Sequence, residues 1–181
     1  MTGPVCYTKI MPQVLFDSLL HVHYCQAYVV PEADRGFSME EAFRGQKNGL
    51  CGASVPGCLF LITALHTGGV RFRVELHERA PADLNDWEEI VEVPFSVSSP
   101  VILQEWAAEA EYPLRIPEGQ YRARYAANDM DAGHQVDTED EGPDSYLLQF
   151  WPDATQAPDA IIKQTSERAQ YQHGAVLRWA H

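Results

Sequence analysis

Along residues 70–77 apolar and polar side chains alternate without a break: Val70, Phe72, Val74 and Leu76 against Arg71, Arg73, Glu75 and His77. A period of two puts each set on its own side of an extended chain, the pattern of a strand with one face in a core. The preceding Gly68-Gly69 reads as the turn into it. Val91, Val93, Phe95 and Val97 share a face in the strand Ile90–Val97, and the turn Ser98-Ser99-Pro100 leads, hairpin-like, into a strand Val101–Trp106. Leu20 to Val30 also alternates, with His21, His23 and Cys25 opposite Val22, Tyr24 and Gln26, until Pro31 ends the run. Cys58–Ala64 is apolar at successive positions, as in a central strand buried on both faces. Leu114-Arg-Ile-Pro-Glu-Gly119 reads as a tight turn that feeds the amphipathic strand Gln120–Tyr125, and Ser145–Trp151 is a further strand closed by Pro152.

Helical spacing is confined to the flanks. Ser38 with Glu41 three residues on has the form of a capping box before Met39, Ala42 and Phe43. Pro158-Asp159 opens a segment in which Ile161, Ile162, Thr165 and Ala169 line one helical side, with Gly174 as its stop and a last short strand at Ala175–Trp179. Residues 1–20, with Ile10, Val14, Leu15, Phe16, Leu19 and Leu20, fit either a short helix or an edge strand. The pattern predicts a mainly β fold, an antiparallel β-sandwich of about eight strands with a short N-terminal helix and a C-terminal helix. At 181 residues, 45% of them hydrophobic, the chain suits one domain over 1–181.

Between two of these strands lies Asp129 to Asp144, with seven carboxylates and no Lys or Arg, which reads as a loop because so charged a run cannot order itself by burial. Taken alone it is equally a solvated surface loop. The wider charge map is uneven in the same sense. Ten acids face two bases, Arg79 and Arg115, between Glu78 and Glu118, and nine acids face none between Asp129 and Asp159. With a formal charge of -13 the chain is unsuited to binding nucleic acid or an anionic membrane, since phosphate recognition needs a basic surface. A basic protein is its natural complement, and a surface of carboxylates can stand in for a phosphate backbone in a basic cleft. The first residues carry neither the basic region nor the apolar run of a secretion signal, and nowhere are there 18 consecutive apolar residues, so the sequence reads as soluble and cytoplasmic.

Candidate chemistry is sparse. His21-x-His23-x-Cys25 would place three metal ligands on one strand face, with His134 or His173 as distant partners, which makes a metal-dependent enzyme or binding module the alternative function. Ordinary edge-strand histidines account for the same spacing. Asp129-x-Asp131-x-Gly133 lacks the fifth-position acid and sixth-position glycine of a calcium loop. No nucleophile elbow, Walker sequence or dinucleotide fingerprint is present, so the sequence points to no catalytic residues, no cofactor and no enzyme. Cys6, Cys25, Cys51 and Cys58 form no C-x-x-C pair and suit buried thiols, Cys51 and Cys58 pairing only after export.

Tyr24 and Gln26, the stretch Trp87-Glu-Glu-Ile-Val-Glu-Val-Pro-Phe-Ser-Val97, the turn-strand Leu114-Arg-Ile-Pro-Glu-Gly-Gln-Tyr121 and the segment Asp144-Ser-Tyr-Leu-Leu148 resemble, in order and spacing, the competence protein J family. The resemblance covers about residues 20–151, leaving 152–181 as a C-terminal helical extension. It implies a small β-rich inhibitor of a DNA nuclease, or an immunity protein against a nuclease toxin, whose partner is a basic nuclease or toxin effector domain. The motifs belong to strands and turns, so the site expectation rests on charge. It comprises Asp129, Asp131, Asp137, Glu139, Asp140, Glu141 and Asp144 of the acidic stretch, Asp86, Trp87, Glu88 and Glu89 of the second acidic segment, and Tyr146, with Trp87 and Tyr146 as aromatic anchors.

Overall fold

The computed structural model describes residues 11–33, 36–82 and 84–179; Cys6 and Ile10 lie outside them. The alternating run of residues 70–77 becomes the heart of β5 (Thr67–Leu76), with Val70, Phe72 and Val74 buried and Arg71 exposed. Around it are arranged β1 (Gln13–Val22), β10 (Thr138–Pro152), β9 (Gly119–Asn128), β6 (Glu89–Val97) and β11 (Ala160–Lys163), in the order β1-β5-β10-β9-β6-β11. Neighbours are antiparallel except β5 and β10, which run parallel. A second, antiparallel sheet has the order β3-β4-β2-β7-β8, from β3 (Cys51–Gly52), β4 (Leu59–Ile62), β2 (Gln26–Pro31), β7 (Val101–Gln104) and β8 (Glu111–Leu114). One apolar cluster joins the sheets: Val29, Leu59, Leu61 and Leu103 from the second, and Phe72, Val93, Tyr125, Leu148 and Phe150 from the first. The fold is therefore mainly β, as the patterning predicts, with eleven strands among the described residues.

Local chemistry builds the helices as well. Ser38 Oγ accepts the Glu41 N–H at 3.2 Å and the Glu41 carboxylate accepts the Ser38 N–H at 2.8 Å, so α1 (Met39–Phe43) starts on the expected capping box and buries Ala42 and Phe43. α2 (Met130–Val136) and α3 (Glu167–Trp179) follow later in the chain.

Several expectations are corrected by tertiary structure. The alternation over Leu20–Val30 is two strands, because Tyr24 and Cys25 take left-handed backbone at φ 53° and 59° and send β1 and β2 into different sheets. The turn at Ser98-Ser99-Pro100 likewise crosses between sheets, and the hairpin partner of β7 is β8. Gly68 and Gly69 are strand residues; a Cβ on Gly68 would sit 1.7 Å from the Glu139 carbonyl oxygen and one on Gly69 2.6 Å from that of Asp140. The bare backbone there admits the acidic stretch, which is α2 followed by the first residues of β10, paired with Thr67–Gly69. Ile161 lies in the edge strand β11 on β6, so the C-terminal helix starts at Glu167, where the Ser166 hydroxyl accepts the Ala169 N–H at 3.1 Å. It runs through Gly174, and the expected strand Ala175–Trp179 is its last turns. Cys51 is buried in the main core and Cys58 in a small outer cluster with Val30 and Ile102.

Candidate functional site: an acidic rim of the sandwich

Strand register brings distant segments to one end of the molecule. Val22 faces Gly68, Thr138 faces Thr67, Ser145 faces Asn128 and Glu89 faces Ala127, so β1, β5, β10, β9 and β6 present the same rim. In the second sheet Gln26 faces Ile62, Tyr28 faces Gln104 and Gln104 faces Glu111. Backbone bonds stitch the two rims together. The Cys25 N–H donates to the His66 carbonyl at 3.1 Å, the Thr63 N–H to the Cys25 carbonyl at 2.9 Å, and the His66 and Thr67 N–H groups to the Asp137 carbonyl at 3.0 and 3.1 Å.

Carboxylates dominate this rim. Asp129, at φ 58°, turns the chain out of β9 into α2, whose buried Met130 holds it to the core. Asp137, at φ 63°, turns it into β10, whose Thr138, Glu139, Asp140 and Glu141 are all exposed. The second acidic segment meets the first. The Asp129 N–H donates to the Glu88 carboxylate at 2.9 Å, the Glu88 N–H to Asn128 Oδ1 at 2.8 Å, and Asn128 Nδ2 to the Asp86 carbonyl at 3.3 Å. Asp86, Glu88, Asp129, Asp137, Glu139, Asp140 and Glu141 thus belong to the same rim, Glu88 and Asp129 in direct contact. Two cations offset it: Arg168 reaches the Cys25 thiol, and Arg71 pairs with Glu141 at 3.3 Å, a pair that adds little because both groups are exposed.

Four expected site residues serve the scaffold. Asp144 and Tyr146 are buried, at 0% and 1% exposure, where a docking partner cannot touch them. The Asp144 carboxylate accepts the Leu65 N–H at 3.0 Å, the Ala64 N–H at 3.3 Å and the Tyr146 hydroxyl at 2.5 Å. Gly133 of α2 lies so close that a Cβ would meet the Asp144 carboxyl carbon at 2.6 Å. Tyr146 stacks on Tyr125 at 5.6 Å, and burial together with the Asp144 charge pushes its phenol well above the ordinary value. Glu89, also buried, accepts the Ser166 N–H at 2.6 Å and the Thr165 N–H at 3.0 Å; burial pushes its carboxyl up against the pull of those donors. Asp131 accepts the Arg168 N–H at 2.8 Å and the Glu167 N–H at 3.1 Å, a carboxylate placed on the free N–H groups of α3. Charge counting cannot separate such internal acceptors from surface acids. Trp87 is half-buried and packs with Leu84 against Ile90, Ala126 and Leu147.

The histidine strand does not assemble. His21 is exposed on β1, His23 lies in the turn beyond, and the Cys25 thiol, pushed up by burial, donates to the Ala64 carbonyl at 3.8 Å. His134 is exposed on α2, whereas His173 is buried on α3. Among the described residues no three His, Cys, Asp or Glu side chains are grouped to hold a metal ion.

Sequence reasoning missed an aromatic tuft on the same rim, built from His23, Tyr24, His66 and Trp106. Ring centroids lie 4.1 Å apart for His23 and Tyr24, 4.9 Å for His23 and Trp106, 5.2 Å for Tyr24 and His66, and 5.3 Å for Tyr24 and Trp106. Thr67 Oγ1 bridges the Nδ1 atoms of His23 and His66, at 2.9 and 2.8 Å. No periodicity links these positions; they meet through the left-handed turns at Tyr24-Cys25 and Ala107-Ala108.

No family model and no curated protein sequence matches the chain. Two solved structures do. One is ComJ of Bacillus subtilis, the inhibitor of the DNA-degrading activity of NucA, at a TM-score of 0.55 and 15% identity over 80% of this chain and 100% of ComJ. The other is the product of crocagin biosynthetic gene J, at a TM-score of 0.50 and 16% identity over 80% of this chain and 99% of that one. At such identity the likeness is one of backbone architecture, and it agrees with the resemblance read from the strand and turn motifs: the chain has a ComJ-like fold.

Proposed function

We propose that this chain is a non-enzymatic inhibitor of a nuclease, acting as one domain that presents its acidic rim to the partner's basic substrate cleft. The observation that carries the reading is the convergence of two acidic segments, far apart in sequence, on one rim of a scaffold shaped like a nuclease inhibitor. Five of these carboxylates stand at the ends of α2 or on β10 and two, Asp86 and Glu88, in the turn before β6, so their backbone is ordered before docking and they can replace a run of phosphates in a basic cleft. An immunity role against a nuclease toxin is the same chemistry with a secreted partner. Neutralising every copy of such an enzyme takes nanomolar affinity, about -12 kcal/mol.

The test uses the purified chain and a purified basic nuclease domain, with DNA degradation as the readout. Unaltered protein protects DNA at stoichiometric amounts. The quadruple variant Asp137→Ser, Glu139→Ser, Asp140→Ser and Glu141→Ser removes exposed acids only, keeps its fold, associates more slowly and loses protection. Undiminished protection by that folded variant would refute the rim as the inhibitory surface.

A further inference from the structure

We infer that the tuft of His23, Tyr24, His66 and Trp106 is the anchor of the interface, a seat for an arginine side chain of the basic partner. The inference rests on the inhibitor reading for the class of partner, and on the tuft itself for the chemistry. Tyr24 is 53% exposed although its ring packs against three others, so the side chain is held at the surface rather than closed into the core. Non-glycine residues in left-handed backbone are costly, and four of them, Tyr24, Cys25, Ala107 and Ala108, shape this one feature. The Thr67 hydroxyl hydrogen-bonds both imidazoles, and the Asp137 carbonyl fixes the segment that carries His66.

Charge decides the occupant. The acids Asp137, Glu139 and Asp140 border the tuft on the β5–β10 side, and Glu109 follows Trp106 on the other, all exposed. Aromatic rings at the surface of a negative field, Tyr24 exposed and the other three partly so, attract a planar, delocalised cation, and a guanidinium stacks on such rings better than a hydrated ammonium does. An anionic or purely apolar partner would meet carboxylates on both flanks. Rigid aromatic anchors ringed by polar residues are also where interface energy concentrates.

The test titrates the full chain with a tri-arginine peptide, using tri-lysine and tri-citrulline peptides as comparisons, and follows the imidazole and indole signals by NMR. Tri-arginine is expected to shift the signals of His23, His66 and Trp106 and to bind about tenfold more tightly than tri-lysine. The double variant Tyr24→Leu and Trp106→Leu keeps apolar bulk and should abolish that preference, its intact fold being checked by the remaining amide spectrum. Equal binding of arginine and lysine, or a preference that survives the double variant, overturns the anchor. The nuclease assay separates the two readings. If the double variant protects DNA as well as the unaltered chain does, the anchor falls and the inhibitor reading stands; arginine-selective docking by a chain that protects no DNA has the opposite meaning.

Discussion

Gly68 occupies a place closed to every other residue. Its φ of +135° is outside the ordinary range of L side chains, and a Cβ would lie 1.7 Å from a backbone oxygen of Glu139. Gly68→Ala must push the acidic segment off β5, at a cost of about 3 kcal/mol or more from strain and overpacking together. Denaturant unfolding measures it, and a loss under about 1 kcal/mol would mean that the β5–β10 contact is dispensable. His173 makes a second residue-scale prediction. Its Nδ1 accepts the Gly49 N–H at 2.8 Å, so the ring must be neutral, and burial lowers its pKa from 6.5 to about 4, partly opposed by the Asp159 carboxylate. The unfolded chain binds this proton first, so the stabilisation is complete above pH 6.5 and drains away as pH falls towards 4. A shift of that size corresponds to a loss of up to about 3 kcal/mol. Thermal unfolding at pH 7 and pH 4.5 reads the decline, which His173→Asn, with an amide oxygen in place of the ring nitrogen, should flatten.

At the scale of elements, α3 is held to the rim by acids. Glu89 of β6 and Asp131 of α2 accept four backbone N–H groups from residues 165–168 between them. Truncation by Glu89→Ala strands the buried donor at Ser166 and leaves the more exposed one at Thr165 to water, a destabilisation of about 1 to 3 kcal/mol. Hydrogen exchange of amides 165–170 should accelerate before the sheet opens. Elements whose pattern reflects their own burial were legible in the sequence: β5, β6 and the buried β4, together with the capping box of α1; β9 was legible as a strand, but not that its Arg122 and Arg124 face is buried too. What was hidden depends on a remote partner. Thr138–Glu141 becomes strand because two glycines some seventy positions earlier let its backbone in, and nothing in Thr-Glu-Asp-Glu records that. Residues 20–30 split at Tyr24 and Cys25, whose types give no warning of left-handed backbone. Ala175, Leu177 and Trp179 satisfy period two as well as a helix, and the burial of Ala169, His173 and Val176 settles the matter.

Across the whole molecule, charge is sorted rather than merely abundant. Arg122 and Arg124 are buried at 6% and 7% exposure and spend their charge on Glu92, at 3.4 and 2.9 Å, with Arg124 lying over Trp151 at 5.2 Å. These two cations therefore do little to soften the field at the rim. The acidic segments were legible as a charge map, but which acids face outward was not, since Asp144, Glu89 and Asp131 are spent on backbone N–H groups. A field from exposed carboxylates is screened by salt, with a Debye length of about 8 Å at physiological ionic strength. Association with a basic partner should accordingly slow about tenfold or more between 0.05 and 0.5 M salt while dissociation changes little. Stopped-flow mixing at the two salt concentrations checks this, and a salt-independent association rate would argue against steering by the rim.

β10 stands third of six in its sheet, parallel to β5 on one side and antiparallel to β9 on the other. Before it arrives, β1 with β5 and β6 with β9 are two separate ribbons with open edges, and no tight turn can recruit β10 to β5. Joining them waits on a closure across some seventy residues, the kind of long-range pairing that makes folding slow. On the ribosome the same order applies: most of the chain must emerge before the sheet can close. The strand that completes the sheet also carries Glu139, Asp140 and Glu141, so a nascent chain acquires its negative face in the same event that makes it a folded protein.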